Sequence, residues 1–377
     1  MASIPPFCSL SFTPVESTLG GALIGLSAAA LLLGYGRVLG FSGILLNGTA
    51  PFLKGNGDTH AGWRLLVLIG LIGGGVGSSY FAPFPSPTID YPLWAYATIG
   101  MVAGFGTACG NGCTSGHGIC GLGRLSPRSF VAVCTFCAAA AATATSLIAT
   151  VDGGCEASGA PWLAPLALPA DPGPMLVGAC VPTTIMVVLF VVLRKMADGF
   201  VSELLHAFLA LSVGCTSGVG LVLAGMLNQH KVRAFLNLGG VWDPSLAFVM
   251  GSGVAVSLVA HQLAQRRMPD APLLAAAYAY PVTCEFGTAG PGTGSILDAK
   301  LLLGAALFGI GWGTLGICPG PSVVGLALPL VGASAPWRFP CFVAASVVGM
   351  ELGEIYKGPA TKPTHVKPAA PAAAPMM

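Results

Sequence analysis

Charged residues are scarce in this sequence. Only 8% of its 377 residues are Asp, Glu, Lys or Arg, whereas 54% are hydrophobic. A soluble domain carries roughly 25% charged residues, so a water-soluble globular protein of this length is excluded. No basic cluster is present, so we expect no nucleic-acid partner.

Two further features are lacking. The first residues, Met1–Gly20, have neither a basic segment nor a continuous apolar one, so we expect no cleavable signal peptide. The 12 Cys do not form a disulfide framework, because most of them fall inside apolar runs. Cys8 and Cys155 are both expected on the outer side, and the sequence leaves their pairing open.

Apolar runs long enough to cross a bilayer recur along the whole chain. They predict an all-α integral membrane protein with the lipid bilayer as its surroundings. We expect about nine transmembrane helices, at residues 19–36, 62–81, 92–107, 128–149, 174–194, 203–226, 244–263, 300–314 and 339–355.

Basic residues are distributed unevenly among the predicted loops. With the N-terminus outside, 13 of the 16 Lys and Arg residues fall on the cytoplasmic side, and only Lys231, Arg233 and Arg338 fall outside. Positive residues favour cytoplasmic loops. The sequence therefore predicts a multi-pass protein, placed in the plasma membrane, with its N-terminus outside and its C-terminus in the cytoplasm.

Two motifs occur twice in the same order. Gly104–Thr107 (GFGT) reappears as Gly311–Thr314 (GWGT), and Arg37–Phe41 parallels Lys231–Phe235. Because one predicted helix separates the two halves, the second half would enter the membrane from the opposite side, giving two inverted four-helix repeats. The expected divisions are an N-terminal segment 1–18, a first repeat 19–150, a linker with its helix 151–200, a second repeat 201–356 and a disordered tail 357–377.

Each half also contains a segment that is unsuited to a continuous helix. Gly104–Gly123 has eight Gly, and Ile317–Ser322 (ICPGPS) has two Pro. Irregular backbone at membrane depth is tolerated where protein buries it or a polar cavity meets it, so we interpret both segments as paired re-entrant breaks. Their N–H groups could face an anion.

The breaks supply the candidate substrate path. Cys113 and Cys318 are its main candidates, because a neutral thiol offers a small anion a weak and polarizable contact. The other predicted path residues are Cys109, Gly112, Thr114, Ser115, His117, Gly316 and Gly320. Simple packing is the alternative for each Cys, and His117 is either a hydrogen-bond donor or a packed residue.

Three basic residues are predicted to attract the anion at the two mouths. Lys231 and Arg233 would form an electropositive outer vestibule, with a solvated loop as the alternative, and Arg37 would act at the cytoplasmic mouth. We expect no metal and no cofactor. Cys113, His117 and Cys120 would supply three ligands, whereas a structural zinc site normally has four.

The segment GNGCTSGHGICGLGRLSPRS (Gly110–Ser129) resembles the YeeE/YedE-type sulfur transport family. Residues Gly220–Gly251 and Leu301–Leu326 are similar to the companion half that bacteria often encode as a separate chain. The resemblance implies an hourglass-shaped helical protein that takes up thiosulfate past pore-lining cysteines, matched here by Cys113 and Cys318. Family members carry a further Cys in the first-span motif, whereas Gly34–Ile44 (GYGRVLGFSGI) has none.

The sequence thus predicts a transporter for thiosulfate or a related sulfur anion, not an enzyme, with an intracellular sulfur-carrier protein as a possible partner. The alternative is a membrane-embedded sulfur-transfer protein that uses the same cysteines. That chemistry would need a base or cation beside an activated thiol, and His117 is the only nearby candidate.

Overall fold

The computed structural model describes residues 12–54, 62–79, 89–150, 173–193, 199–240, 242–268, 271–275, 278, 298–331 and 336–358, and all regular structure in these residues is helical. The helices are α1 (Pro14–Tyr35), α2 (Phe41–Lys54), α3 (Gly62–Ser78), α4 (Leu93–Cys109), a π-helix (Thr114–Gly121), α5 (Pro127–Thr150), α6 (Gly173–Leu193), α7 (Phe200–Leu223), α8 (Gln229–Leu236), α9 (Ser245–Arg267), α10 (Ala299–Leu315), α11 (Pro319–Val324), a 3₁₀ segment (Gly325–Val331) and α12 (Arg338–Lys357).

Length and composition identify fewer helices able to cross a membrane than the nine expected. Five helices in the described residues, α1, α5, α7, α9 and α12, are long and apolar enough, and two bent pairs raise the number to seven. The remaining predicted spans coincide with the shorter apolar helices Gly62–Ser78 and Val177–Leu193. The chain is therefore an all-helical, multi-pass membrane protein, and the nine-span count stays a prediction.

Both predicted breaks interrupt a helix. The axis bends by 41° between α4 and the π-helix and by 49° between α10 and the helix that starts at Pro319. Glycine and proline explain both interruptions, because glycine leaves a helix poorly stabilised and proline cannot supply its N–H group. We refer below to Gly110–Ser115, which includes the first residues of the π-helix, as the first break. Gly316–Gly320, which includes the first residues of α11, is the second break.

Small residues allow α3 to pack closely against α7. A Cβ atom on Gly70 would lie 2.2 Å from the carbonyl oxygen of Leu211, and one on Gly74 would lie 2.4 Å from that of Cys215. The contacts advance in the same direction along both helices, so α3 and α7 run parallel. In membrane proteins such close approach of backbones provides much of the attraction between helices.

The helix α1 packs in parallel on α9 and antiparallel on α7. Gly21 meets Val249 and Gly25 meets Gly253, so α1 and α9 run in the same direction. In contrast, Gly20 meets Gly220 near one end of α1, whereas Tyr35 at the other end lies against His206 near the start of α7. The pairing of α1 with α9 thus mirrors that of α7 with α3.

The broken helices α4 and α10 pack on each other and on the helices α12 and α5. Gly100 and Gly104 of α4 pack on Phe342 and Ser346 of α12 in parallel. Gly309 and Gly313 of α10 pack in the same way on α5, at Phe136 and Ala140. The helices α4 and α10 also pack on each other in opposite directions, with Ala103 against Gly311 and Ala305 near Gly110.

Several predictions concern residues outside the described part of the chain. Cys8, Cys155, the linker at 151–172 and the tail from residue 359 onward belong to this group. The domain boundaries likewise remain predictions.

Candidate functional site

The two main candidate cysteines occupy equivalent places in the breaks. Cys113 is the N-cap residue of the π-helix, and Cys318 is the N-cap residue of α11. Both have extended backbones, with φ of −126° and −107°. Their exposed fractions are 1% and 2%, so both thiols are buried inside the fold.

Hydroxyl groups connect the two breaks. The Thr114 hydroxyl donates to Cys318 Sγ over 3.5 Å, although these residues are 204 positions apart. The Ser115 hydroxyl lies 3.3 Å from Cys113 Sγ and accepts a hydrogen bond from the backbone N–H of Phe41 at 3.1 Å. Either atom of the contact between Ser115 and Cys113 can be the donor. The structure thus brings four predicted path residues together.

A small cavity lies beside this cluster. Its volume is about 30 Å³, and its wall consists of Ile24, Phe41, Thr114, Ser115, Ile119, Leu221, Met226, Leu246, Val249, Met250, Trp312 and Pro321. Thr114 and Ser115 are the two hydroxyl-bearing residues of this wall, and its surface is almost entirely apolar. A water molecule needs about 10–15 Å³ of such space, so an anion of several heavy atoms does not fit. The space beside this cluster is therefore too small for such an anion.

His117 holds the first break in shape. Its Nε2 atom lies 2.9 Å from the carbonyl oxygen of Gly110, and its Nδ1 atom lies 3.1 Å from Ser129 Oγ. Gly112 makes room for the ring, because a Cβ atom there would lie 2.8 Å from it. His117 thus connects the end of α4 with the start of α5, and the structure places it as a brace of the break.

The glycines of the second break have separate reasons to be glycine. Gly316 has φ of 67°, and a Cβ atom there would lie 2.5 Å from the carbonyl oxygen of Gln229. Gly320 lies under the ring of Phe41, where a Cβ atom would come within 2.4 Å of it. Cys109 is buried at the end of α4, where its backbone packs on Gly304 of α10.

The predicted outer cations are buried, so the solvated-loop interpretation is wrong. Lys231 and Arg233 lie on α8 and are only 6% and 1% exposed. The Lys231 ammonium contacts Thr13 Oγ1 and lies 3.9 Å from Asp243 Oδ2. Burial lowers the pKa of Lys231, and the charges of Asp243 and Glu16 oppose that shift.

Arg37 lies in the other half and has a different neighbour. Its guanidinium carbon is 4.6 Å from the centre of the Trp63 ring, a distance suited to a cation–π contact. The vestibule roles of Arg37, Lys231 and Arg233 remain predictions.

Sequence reasoning missed Phe41, which touches both breaks. Its position in the repeated motif Arg37–Phe41 was a usable signal, but the motif suggested a role only for the arginine. Among the described residues, no group of three or more His, Cys, Asp or Glu side chains is arranged to hold a metal ion.

Similar proteins give the arrangement a context. A family described as "Family of unknown function (DUF6691)" matches residues 205–364. A Xylella fastidiosa (strain Temecula1 / ATCC 700964) protein named "Probable transporter" is 37% identical over 142 residues, which are 37% of this chain and 83% of that protein. A second "Probable transporter" of this strain is 41% identical over 128 residues, which are 34% of this chain and 90% of that protein. The chain therefore belongs to the family of these Xylella fastidiosa proteins.

Proposed function

We propose that the chain carries thiosulfate or a related small sulfur-containing anion across the membrane, along a path lined by Cys113 and Cys318. The observation that carries the proposal is the contact of Thr114 with Cys318. It joins two broken membrane helices at the residues where each helix restarts. The transporter names of the relatives and the sequence resemblance to the YeeE/YedE-type family agree with it.

An inverted repeat with paired breaks is part of the proposal. In the two halves α1 corresponds to α7, and α3 corresponds to α9. The corresponding helices α1 and α7 run antiparallel, and exchanging the two halves turns the packed pair α3–α7 into the packed pair α9–α1. The pairs α4–α12 and α10–α5 follow the same rule. Such an arrangement supports a two-fold axis in the membrane plane, as found in many transporters, with substrate near the midplane.

Two ion pairs also correspond to each other when the two halves of the chain are exchanged. Arg128, at the start of α5, donates to Asp298, the N-cap residue of α10, over 2.7 Å. Arg338, at the start of α12, pairs with Asp90 just before α4. Each pair therefore connects the last helix of one half with the broken helix of the other. This correspondence supports placing the two breaks on opposite sides of the midplane.

The chemistry of the cluster suits a passing soft anion. The contacts of the two sulfur atoms are hydroxyl groups of Thr114 and Ser115, which are neutral donors. Neutral donors bind an anion more weakly than Lys or Arg would, and conduction needs binding that is weak enough for release. Thiols add polarizable contacts for terminal sulfur atoms.

The remaining predictions complete this picture. Lys231, Arg233 and Arg37 would raise the local anion concentration at the two mouths. The protein would lie in the plasma membrane with its N-terminus outside, and an intracellular sulfur-carrier protein would receive the imported anion. The sulfur-transfer alternative receives less support, because both ring nitrogens of His117 are engaged by Gly110 and Ser129 rather than by a thiol.

Uptake measurements test the proposal. The wild-type chain, Cys113→Ala and Cys318→Ala are expressed at matched membrane levels in a host that lacks its own thiosulfate uptake. We expect the wild type to restore uptake and each variant to slow it by at least about tenfold, since losing roughly 1.4 kcal/mol at the barrier slows passage tenfold.

A matched control separates the path from general packing. Cys134→Ala makes the same substitution at an exposed position on α5 and should leave uptake unchanged. Unimpaired uptake in both break variants would show that the thiols are not part of the path. If the wild type moves no thiosulfate despite good expression, thiosulfate is not its substrate.

A further inference from the structure

Phe41 is in contact with both breaks at once. Its backbone N–H donates to Ser115 Oγ next to Cys113, and its ring covers Gly320 next to Cys318. The side chain is 3% exposed and forms part of the cavity wall. No substrate contact had been assigned to this residue from the sequence.

The ring occupies space that a substrate would need. The cavity lined by Phe41, Thr114 and Ser115 has a volume of only about 30 Å³. Since Thr114 and Cys318 are already in contact, a multi-atom anion can pass between the breaks only after some side chain has moved. Phe41 is a bulky aromatic side chain in the cavity wall, and it touches both breaks.

Phe41 is also placed where it can move. It is the first residue of α2 and directly follows the non-helical residues Arg37–Gly40. Its ring lies on Gly320, which has no side chain to interlock with it. An apolar constriction of this kind also excludes water, and this dewetting is an effective barrier to ions.

We propose that Phe41 is the gate residue of the path, closing the space between Cys113 and Cys318 when its ring packs on Gly320. This inference rests on the proposed function, because it takes the two cysteines as parts of one path. Opening requires the ring to leave Gly320, while the hydrogen bond from the Phe41 N–H to Ser115 can hold the backbone in place.

Thiol labelling tests the gate without a transport assay. Intact protein in membrane vesicles is treated with a negatively charged methanethiosulfonate reagent, and modification of each Cys is measured by peptide mass spectrometry. We expect the reagent to modify Cys113 and Cys318 at least about tenfold faster in Phe41→Ala than in the wild type. The reason is that the closed state loses its main barrier. Phe41→Leu, which keeps most of the apolar volume, should give an intermediate rate.

The control is the corresponding residue of the second half. Phe235 stacks on Trp242 with ring centroids 6.2 Å apart and forms no part of the cavity wall. Phe235→Ala should therefore leave the labelling of both cysteines at the wild-type rate. Wild-type rates in Phe41→Ala, or equal acceleration in Phe41→Ala and Phe235→Ala, would overturn the gate.

Thiosulfate uptake by the same preparations separates the two proposals. If the wild type takes up thiosulfate but Phe41→Ala labels like wild type, the proposed function stands and the gate is overturned. If the wild type takes up none while Phe41→Ala labels faster and Phe235→Ala does not, the gate stands and the thiosulfate assignment fails.

Discussion

The two breaks have the same backbone conformation but differ in the side chains that stabilise it. In each, the residue two positions before the cysteine is left-handed, with φ of 57° at Asn111 and 67° at Gly316. In each, the cysteine is an extended N-cap residue and a new helix starts directly after it. The same chain path therefore arises from GNGC in one half and from GIC in the other.

Different contacts hold this path in the two halves. The first break has a side-chain brace, His117, and the amide of Asn111 accepts a hydrogen bond from Lys357 at 2.8 Å. The second break instead relies on Pro319 and on packing of Gly316 against Gln229. We conclude that the first break depends on hydrogen bonds and the second on the absence of side chains.

The largest expected effect is at the left-handed position of the second break. Gly316→Ala would place a Cβ atom 2.5 Å from a backbone oxygen in addition to the strained φ. The left-handed backbone costs about 1–2 kcal/mol and overpacking about 1–3 kcal/mol, so we expect a loss of about 2–5 kcal/mol. Thermal unfolding of the purified protein in detergent measures it.

Asn111→Ala is the matched variant in the first break. Asn tolerates the left-handed region better than Ala, so this variant loses about 1 kcal/mol of backbone preference and the contact with Lys357. Gly73→Ala on α3 is the control, since its Cβ atom would meet nothing within 4 Å and should not destabilise the protein. Equal losses for Gly316→Ala and Asn111→Ala would refute the distinction between the breaks.

The brace gives the next largest effect. His117→Ala removes both ring hydrogen bonds and leaves the buried Gly110 carbonyl and Ser129 hydroxyl without this partner. We expect a loss of about 1–3 kcal/mol. Ser322 holds the corresponding position after Cys318, and its hydroxyl donates only to Pro319 within its own turn.

Ser322→Ala should therefore cost about 1 kcal/mol or less. Unfolding temperatures of the two variants, measured side by side, decide the point. A larger loss for Ser322→Ala than for His117→Ala would mean that the second break, too, depends on a side-chain hydrogen bond.

Much of the fold could be predicted because its signals are local. Low charge and long apolar runs indicated membrane helices, and the clusters of Gly and Pro located both interruptions within a few residues. The helices at 62–78 and 177–193 are harder to classify, because they are apolar but short. Length and composition do not decide whether such helices cross the bilayer.

The site was predictable in part. Cys113, Cys318, Thr114 and Ser115 lie in conspicuous motifs, and the structure brings these residues together. The burial of Lys231 depends on residues just before α1 and α9. The position of Phe41 depends on contacts with both breaks. A single sequence carries no record of such long-range contacts.

The smallest expected effect on stability concerns the ion pairs Arg128–Asp298 and Arg338–Asp90, and it depends on pH. Burial alone would raise the pKa of Asp298, but its hydrogen bonds with Arg128 and Leu301 outweigh this and lower it. The stabilisation is therefore complete above the unfolded pKa of about 3.9 and is lost as the pH falls through the lower folded pKa. Asp298→Asn and Arg128→Gln should each lower stability near neutral pH by about 1 kcal/mol and flatten its decline in acid.

Asp90 is 95% exposed in its pair with Arg338, so Asp90→Asn should cost less near neutral pH. Unfolding temperatures from pH 7 to 3 test this order, and an unchanged acid profile in Asp298→Asn would contradict it.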